Sequence, residues 1–107
     1  MAAREQDVIA RMWHGMVPKA KASEYLDYMR TVAIPDYRSI PGNRGAWSLH
    51  REDGDVVHFQ MLSFWDDIEA IKAFAGEDFK LAKYYDFDRE FLIELEPHVL
   101  HYELHGD

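Results

Sequence analysis

From Val8 to His14 the chain runs almost continuously apolar (VIARMWH), with β-branched and aromatic residues, the pattern of a strand. Gly15 and Pro18 punctuate its end. From Lys19 the period changes. Ala22, Tyr25, Leu26, Met29, Val32 and Ala33 recur at steps of three and four, which places them on one helix face. Pro35 is expected to end that helix, because it disfavours helical geometry at Ile34 and has no N–H to donate. Asp36 to Asn43 then reads as a connector around a Pro41-Gly42 turn.

The stretch Val56 to Tyr85 organises the rest. Gly45–Arg51 and Asp55–Trp65 predict a hairpin turned at Asp53-Gly54, a dipeptide that tolerates positive φ. The second strand carries Val57, Phe59, Met61 and Trp65 on one face and Leu62 and Phe64 on the other, so both faces are expected to be covered. Asp66, with Glu69 three residues on, has capping-box spacing for a helix striped by Ile68, Ile71, Phe74 and Ala75 and closed by Gly76. Phe79, Ala82 and Tyr85 continue at helical spacing. Asp88 is placed to cap a further short helix with Phe91, Leu92 and Leu95, and Val99 to His105 alternates as a last strand.

The order is β-α-β-β-α-β. It predicts an α+β, ferredoxin-like fold: a single domain with a four-stranded antiparallel sheet and helices on one face. Nothing in the chain covers the opposite face, and sheet-to-sheet homodimerisation is the simplest cover.

Composition narrows the function classes. The chain has 107 residues, 48% hydrophobic and 14% aromatic, enough for one domain with a real core. A net charge of −8 argues against nucleic acid and anionic membrane surfaces. There is no cysteine, hence no disulfide or thiolate chemistry. Residues Met1 to Asp7 form no apolar leader, and no run reaches membrane-spanning length, so a cytoplasmic protein is expected.

The βαββαβ order, Trp65 after the third strand, and Ala70, Phe74, Phe79 and Ala82 behind it together resemble the antibiotic biosynthesis monooxygenase-like proteins of the dimeric α/β-barrel superfamily. Ala82-Lys83-Tyr84-Tyr85, Asp88, His101-Tyr102-Glu103 and Pro41 to Ala46 are similar to an uncharacterised branch of it. The resemblance implies a dimeric barrel. It implies either a monooxygenase working without cofactor on a phenolic or quinone-type aromatic, a haem-degrading enzyme, or a dimer without turnover. It puts Trp65 where oxygenase members place a pocket tryptophan. The asparagine and histidine of the haem-degrading branch would fall at Met12 or Trp13 and at Lys83, which do not match, and a protonated amine is a poor iron ligand.

On this reading Trp65, Met61 and Phe79 supply an apolar pocket, Tyr84, Tyr85 or His14 the polar group that holds a substrate anion, and Asp86 and Asp88 line the pocket mouth beside the tyrosines or serve as caps and solvated charges. Each residue also has a plain alternative: Trp65 as a packed indole, Phe79 as core, one of the two tyrosines as core and the other as surface, His14 as an exposed histidine. His101, Glu103 and His105 share a strand face by two-residue spacing, which suits either a metal or the polar side of an amphipathic strand. His58 and Gln60 face a partner subunit or bond across the sheet. No glycine-rich phosphate loop, nucleotide fingerprint or serine elbow occurs, so no metal or other cofactor is expected.

Overall fold

The computed structural model describes residues 8–105; the polar N-terminal residues 1–7 lie outside them. Strand β1 (Ile9–Pro18) is central and pairs antiparallel with β3 (Val56–Trp65) along its whole length, from Ile9 opposite Trp65 to Pro18 opposite Val56. The hairpin partner β2 (Asn43–Asp53) lies beyond β3, and a short β4 (Leu100–Glu103) pairs with the start of β1. The sheet order β2-β3-β1-β4 is the expected ferredoxin-like arrangement.

Several local expectations shift. Strand β1 does not stop at Gly15. A Cβ there would lie 2.6 Å from the Trp13 ring and 2.7 Å from Leu92, so the glycine admits packing rather than breaking the strand. The hairpin turn is Gly54-Asp55, with Asp53 paired to Val56 and Gly54 at φ +60°. The helix cap is Asp67, whose carboxylate accepts from the Ala70 N–H at 2.9 Å, while Asp66 pairs with Arg44 at 2.6 Å. Helix α3 (Ile68–Ala75) therefore begins one residue later than expected, and it ends at Gly76 with φ +96°.

Pro35 does not end the first helical arm. Helix α1 (Ala22–Tyr28) passes through a wide turn, Met29–Ala33, into α2 (Ile34–Ser39), which carries Pro35 in its first turn. In the wide turn the Ile34 N–H donates to Met29 O, five residues back, where proline's missing N–H and ring clash are best tolerated. Thr31 Oγ1 donates to Asp27 O at 2.7 Å, further occupying the ladder's carbonyls. The added residue rotates Val32 outward to 40% exposure, off the stripe to which the spacing assigns it.

The segment after Gly76 is not helical. Leu81 bridges His98, Ala82 N–H donates to Pro97 O, and Val99 N–H donates to Lys80 O. Strand-type pairing wins over the helical spacing of Phe79, Ala82 and Tyr85. Helix α4 is only Asp88–Phe91; Phe91 and Leu92 are buried, but Leu95 is exposed.

The strand alternation sorts the two sheet faces. Trp13, Val17, Val57, Phe59, Met61 and Trp65 face the helices and form the core with Tyr25, Met29, Ala33, Tyr37, Ile71 and Phe74. On the opposite face Trp47, Leu49, Leu100 and Tyr102 are 47–60% exposed. The Trp47 and Phe64 rings also meet edge to face there, 5.8 Å apart.

Candidate functional site

Beneath the helical arm, the sheet and the irregular 76–87 segment enclose a small cavity. Its apolar walls are Trp13, Met29, Ala33 and Met61, and its polar lining is Tyr25, Tyr37, Lys83, Tyr85 and Asp88. The space open to the centre of a water molecule is about 10 Å³, roughly one water.

The polar lining is wired together. Tyr25 Oη donates to Asp88 Oδ1 at 2.7 Å, and Asp88 Oδ2 accepts from the Tyr85 N–H at 2.7 Å. Tyr85 Oη donates to Asp36 Oδ2 at 2.7 Å, which Lys83 Nζ also approaches at 3.4 Å. Lys83 further donates to Phe74 O at 3.2 Å. Tyr37 Oη accepts from Arg11 Nη1 at 3.2 Å. Trp13 Nε1 is buried without a partner. The Phe87 ring stacks on Tyr85 at 5.5 Å and steadies it.

Burial sets the protonation of these groups. It raises the Tyr25 hydroxyl far above its usual range, with the Asp88 charge adding to the effect. Burial raises Tyr85 as well, followed by its hydrogen bond to Asp36. Tyr37 is raised by burial against the opposing pull of Arg11. The phenols are therefore donors. Burial also raises Asp88, against the hydrogen bonds from Tyr25 and the Tyr85 N–H, and so makes it a better proton acceptor than an ordinary carboxylate.

Of the residues singled out from sequence as pocket candidates, Met61, Tyr85 and Asp88 line this cavity. Trp65 is fully buried one layer away, donating from Nε1 to Ser63 Oγ at 2.8 Å and packed on Tyr37 and Phe74. Tyr84 meets Trp13 edge to face at 6.2 Å, and its hydroxyl donates to the Glu96 carbonyl; burial and Glu96 push it up to about 12. Phe79 lies elsewhere, edge to face with His101 at 5.2 Å. The fold does not bring His14 to the cavity. Its parity on β1 is opposite to that of Trp13, and there its Nδ1 meets Glu96 at 2.6 Å and its Nε2 meets His58 Nδ1 at 2.9 Å. His58 in turn reaches Asp53 at 3.2 Å. Glu103 pairs with His105 at 3.3 Å, and among the described residues no group of three His, Asp or Glu is placed to hold a metal ion.

Sequence reading missed Tyr25, Tyr37, Asp36 and Arg11. Tyr25 stood in the helical stripe as an apolar residue, and its hydroxyl carried no separate signal. Arg11 did carry one: it shares strand parity with Trp13, so a charge was bound to face the core.

No protein-family model matches the sequence, and no curated protein sequence matches it. Solved structures do match in fold. One described as "Putative antibiotic biosynthesis monooxygenase from Nitrosomonas europaea" superposes with a TM-score of 0.68 at 12% identity, covering 96% of this chain and 94% of that one. A conserved protein from Methanosarcina mazei superposes with a TM-score of 0.68 at 19% identity, covering 92% and 95%. A Bacillus cereus structure described in the same terms as the first gives 0.64 at 12% identity, covering 94% and 95%. The chain thus resembles the antibiotic biosynthesis monooxygenase-like structures over nearly its whole length, and at these identities the likeness is one of fold. Among the described residues no helix is long and apolar enough to cross a membrane.

Proposed function

We propose that this protein is a small monooxygenase-like homodimer that oxidises a phenolic or quinone-forming aromatic at the Asp88 cavity, using dioxygen and no cofactor. One observation carries the reading. Asp88, with its raised proton affinity, lines a small cavity together with three protonated phenols and the Lys83 ammonium. Packing alone has no need of such a set.

In the proposed reaction Asp88 accepts the proton of an anthrone-like carbon acid. The resulting anion is held through its oxygen by Tyr85 or Tyr25 O–H and by Lys83. The anion reduces dioxygen to a peroxide on the substrate carbon, which loses water as the carbonyl forms. One oxygen atom enters the quinone, and the other leaves as water with the two substrate hydrogens. The present cavity is too small for such a molecule, so Lys83 and Tyr85 on the irregular segment must draw back from Asp36 to admit it. The exposed apolar sheet face, with Trp47, Leu49, Leu100 and Tyr102, suits a second copy of the chain.

Oxygen uptake with anthrone-like and naphthol-like compounds is the test. Uptake by the wild type that falls at least about a hundredfold in Asp88→Asn and survives in Tyr84→Phe supports the assignment. A folded protein with no uptake above blank removes it.

The small volume favours a second reading, a dimeric ligand-binding protein without turnover. Quenching of tryptophan fluorescence by the same compounds, with no oxygen consumed, is its signature. Haem degradation has least support: Lys83 Nζ is engaged by Asp36 and the Phe74 carbonyl, and the cavity has no room for a porphyrin.

A further inference from the structure

We propose that Arg11 and His101 form a binding site for a planar carboxylate, an aromatic monocarboxylic acid entering past Phe79. It adjoins the Asp88 cavity through Tyr37 and is independent of any turnover there. Arg11 is 0% exposed, and its guanidinium lies 5.3 Å from the Phe74 ring centroid. Only Nη1 has a partner, the Tyr37 hydroxyl; Nε and Nη2 are buried with none. Those two nitrogens form the side-on fork of the guanidinium, whose parallel N–H groups match the two oxygens of a carboxylate. The guanidinium stays charged at any accessible pH. A buried charge with an open fork is strongly unfavourable unless an anion completes it. Among the described residues no carboxylate pairs with it.

His101 supplies the second donor. It sits opposite Arg11 on the neighbouring strand β4, and its Nε2 is also buried without a partner. Burial, then the Arg11 and Lys80 charges, lower His101 to about 4, so its ring is neutral near pH 7 and its Nε2–H tautomer can donate to the same anion. Lys83 Nζ stands 4.2 Å from the Phe74 ring centroid, adding a second cation against the same ring.

The Phe79 ring meets His101 edge to face at 5.2 Å and also borders a surface groove of about 380 Å³ with Glu77, Asp78, Lys80, Leu81 and His98. A benzoate-like ligand has the right form: its ring replaces Phe79 against His101, and its carboxylate reaches the fork.

Benzoate titrated into the full chain at constant ionic strength tests this, read by calorimetry and by the His101 imidazole resonance. Saturable binding is expected. The bound anion offsets Arg11, so the His101 titration midpoint should move upward from about 4. Arg11→Lys, which keeps the charge and loses the fork, should weaken binding at least about tenfold. Phe79→Ala, which opens the approach, should bind at least as tightly as the wild type. Absence of saturable binding by the wild type overturns the proposal. So does an unmoved His101 resonance, or an equal effect from chloride or phosphate at the same concentration.

Discussion

Tyr25 Oη donates to Asp88 Oδ1 over 2.7 Å with both side chains buried, and this bond ties the helical arm to α4 across the cavity. Removing the hydroxyl in Tyr25→Phe leaves a buried carboxylate oxygen without its donor. The expected cost is about 1–3 kcal/mol of unfolding free energy in urea at neutral pH. Burial raises Asp88, so the carboxyl takes up its proton more readily in the folded state, and a protonated acceptor needs Tyr25 less. The deficit of the variant should therefore shrink as pH falls through the range where Asp88 protonates. A variant as stable as the wild type at neutral pH would contradict the assignment.

Two adjacent aspartates offer a clean comparison. Asp67→Ala removes the carboxylate that accepts the Ala70 N–H and should cost about 1 kcal/mol. Asp66→Ala removes only a half-exposed pair with Arg44 and should cost less than about 0.5 kcal/mol. Thermal denaturation of the two variants side by side decides it. Equal losses would mean that the cap is shared.

Gly42 stands at φ +92°, and a Cβ there would lie 2.6 Å from Ala70 Cβ on α3. Gly42→Ala therefore combines backbone strain with a close contact and should cost about 2–4 kcal/mol. Ala70→Gly relieves only the contact, so the double variant should recover part of the loss in a double-mutant cycle. Strictly additive losses would show that the two positions do not touch.

The acid limb of stability should report on His101. Its folded pKa of about 4 lies below the ordinary histidine value of 6.5, so the unfolded chain binds the extra proton first. The stability contributed is complete above about pH 6.5 and is lost as pH falls toward 4. In His101→Phe this part of the pH dependence should flatten relative to the wild type, whose carboxylates titrate in both. Parallel stability curves between those limits would exclude His101 as the source.

The sheet and its order were legible because strand parity leaves little freedom: one-residue alternation in β3 already separates Met61 and Trp65 from Leu62 and Phe64. Helix ends were less legible because they turn on a single hydrogen bond. Asp66 and Asp67 both precede an apolar stripe, and only the geometry shows which carboxylate faces the Ala70 N–H. Pro35 misled because a wide turn can absorb its missing donor, which no spacing rule encodes. The cavity was half legible. Met61, Tyr85 and Asp88 could be named, but joining Asp88 to Tyr25 needs contacts across 63 residues. Arg11 was overlooked inside an apolar run despite its parity with Trp13.

The exposed sheet face gives the prediction with the widest reach. Trp47, Leu49, Leu100 and Tyr102 present aromatic and aliphatic surface, with Met12, Leu62 and Phe64 half-buried between them. Apolar area of this kind yields roughly 25 cal/mol per Å² when removed from water, and a stable interface needs about 1,000 Å² or more in total. Two copies stacked face to face would cover this surface without new structure. Light scattering at micromolar concentration should give twice the chain mass. Trp47→Glu with Leu100→Glu should place four carboxylates on the apposed faces and return the protein to monomer with unchanged far-ultraviolet circular dichroism. A wild type that is already monomeric would leave the face uncovered and remove the homodimer from the proposed function.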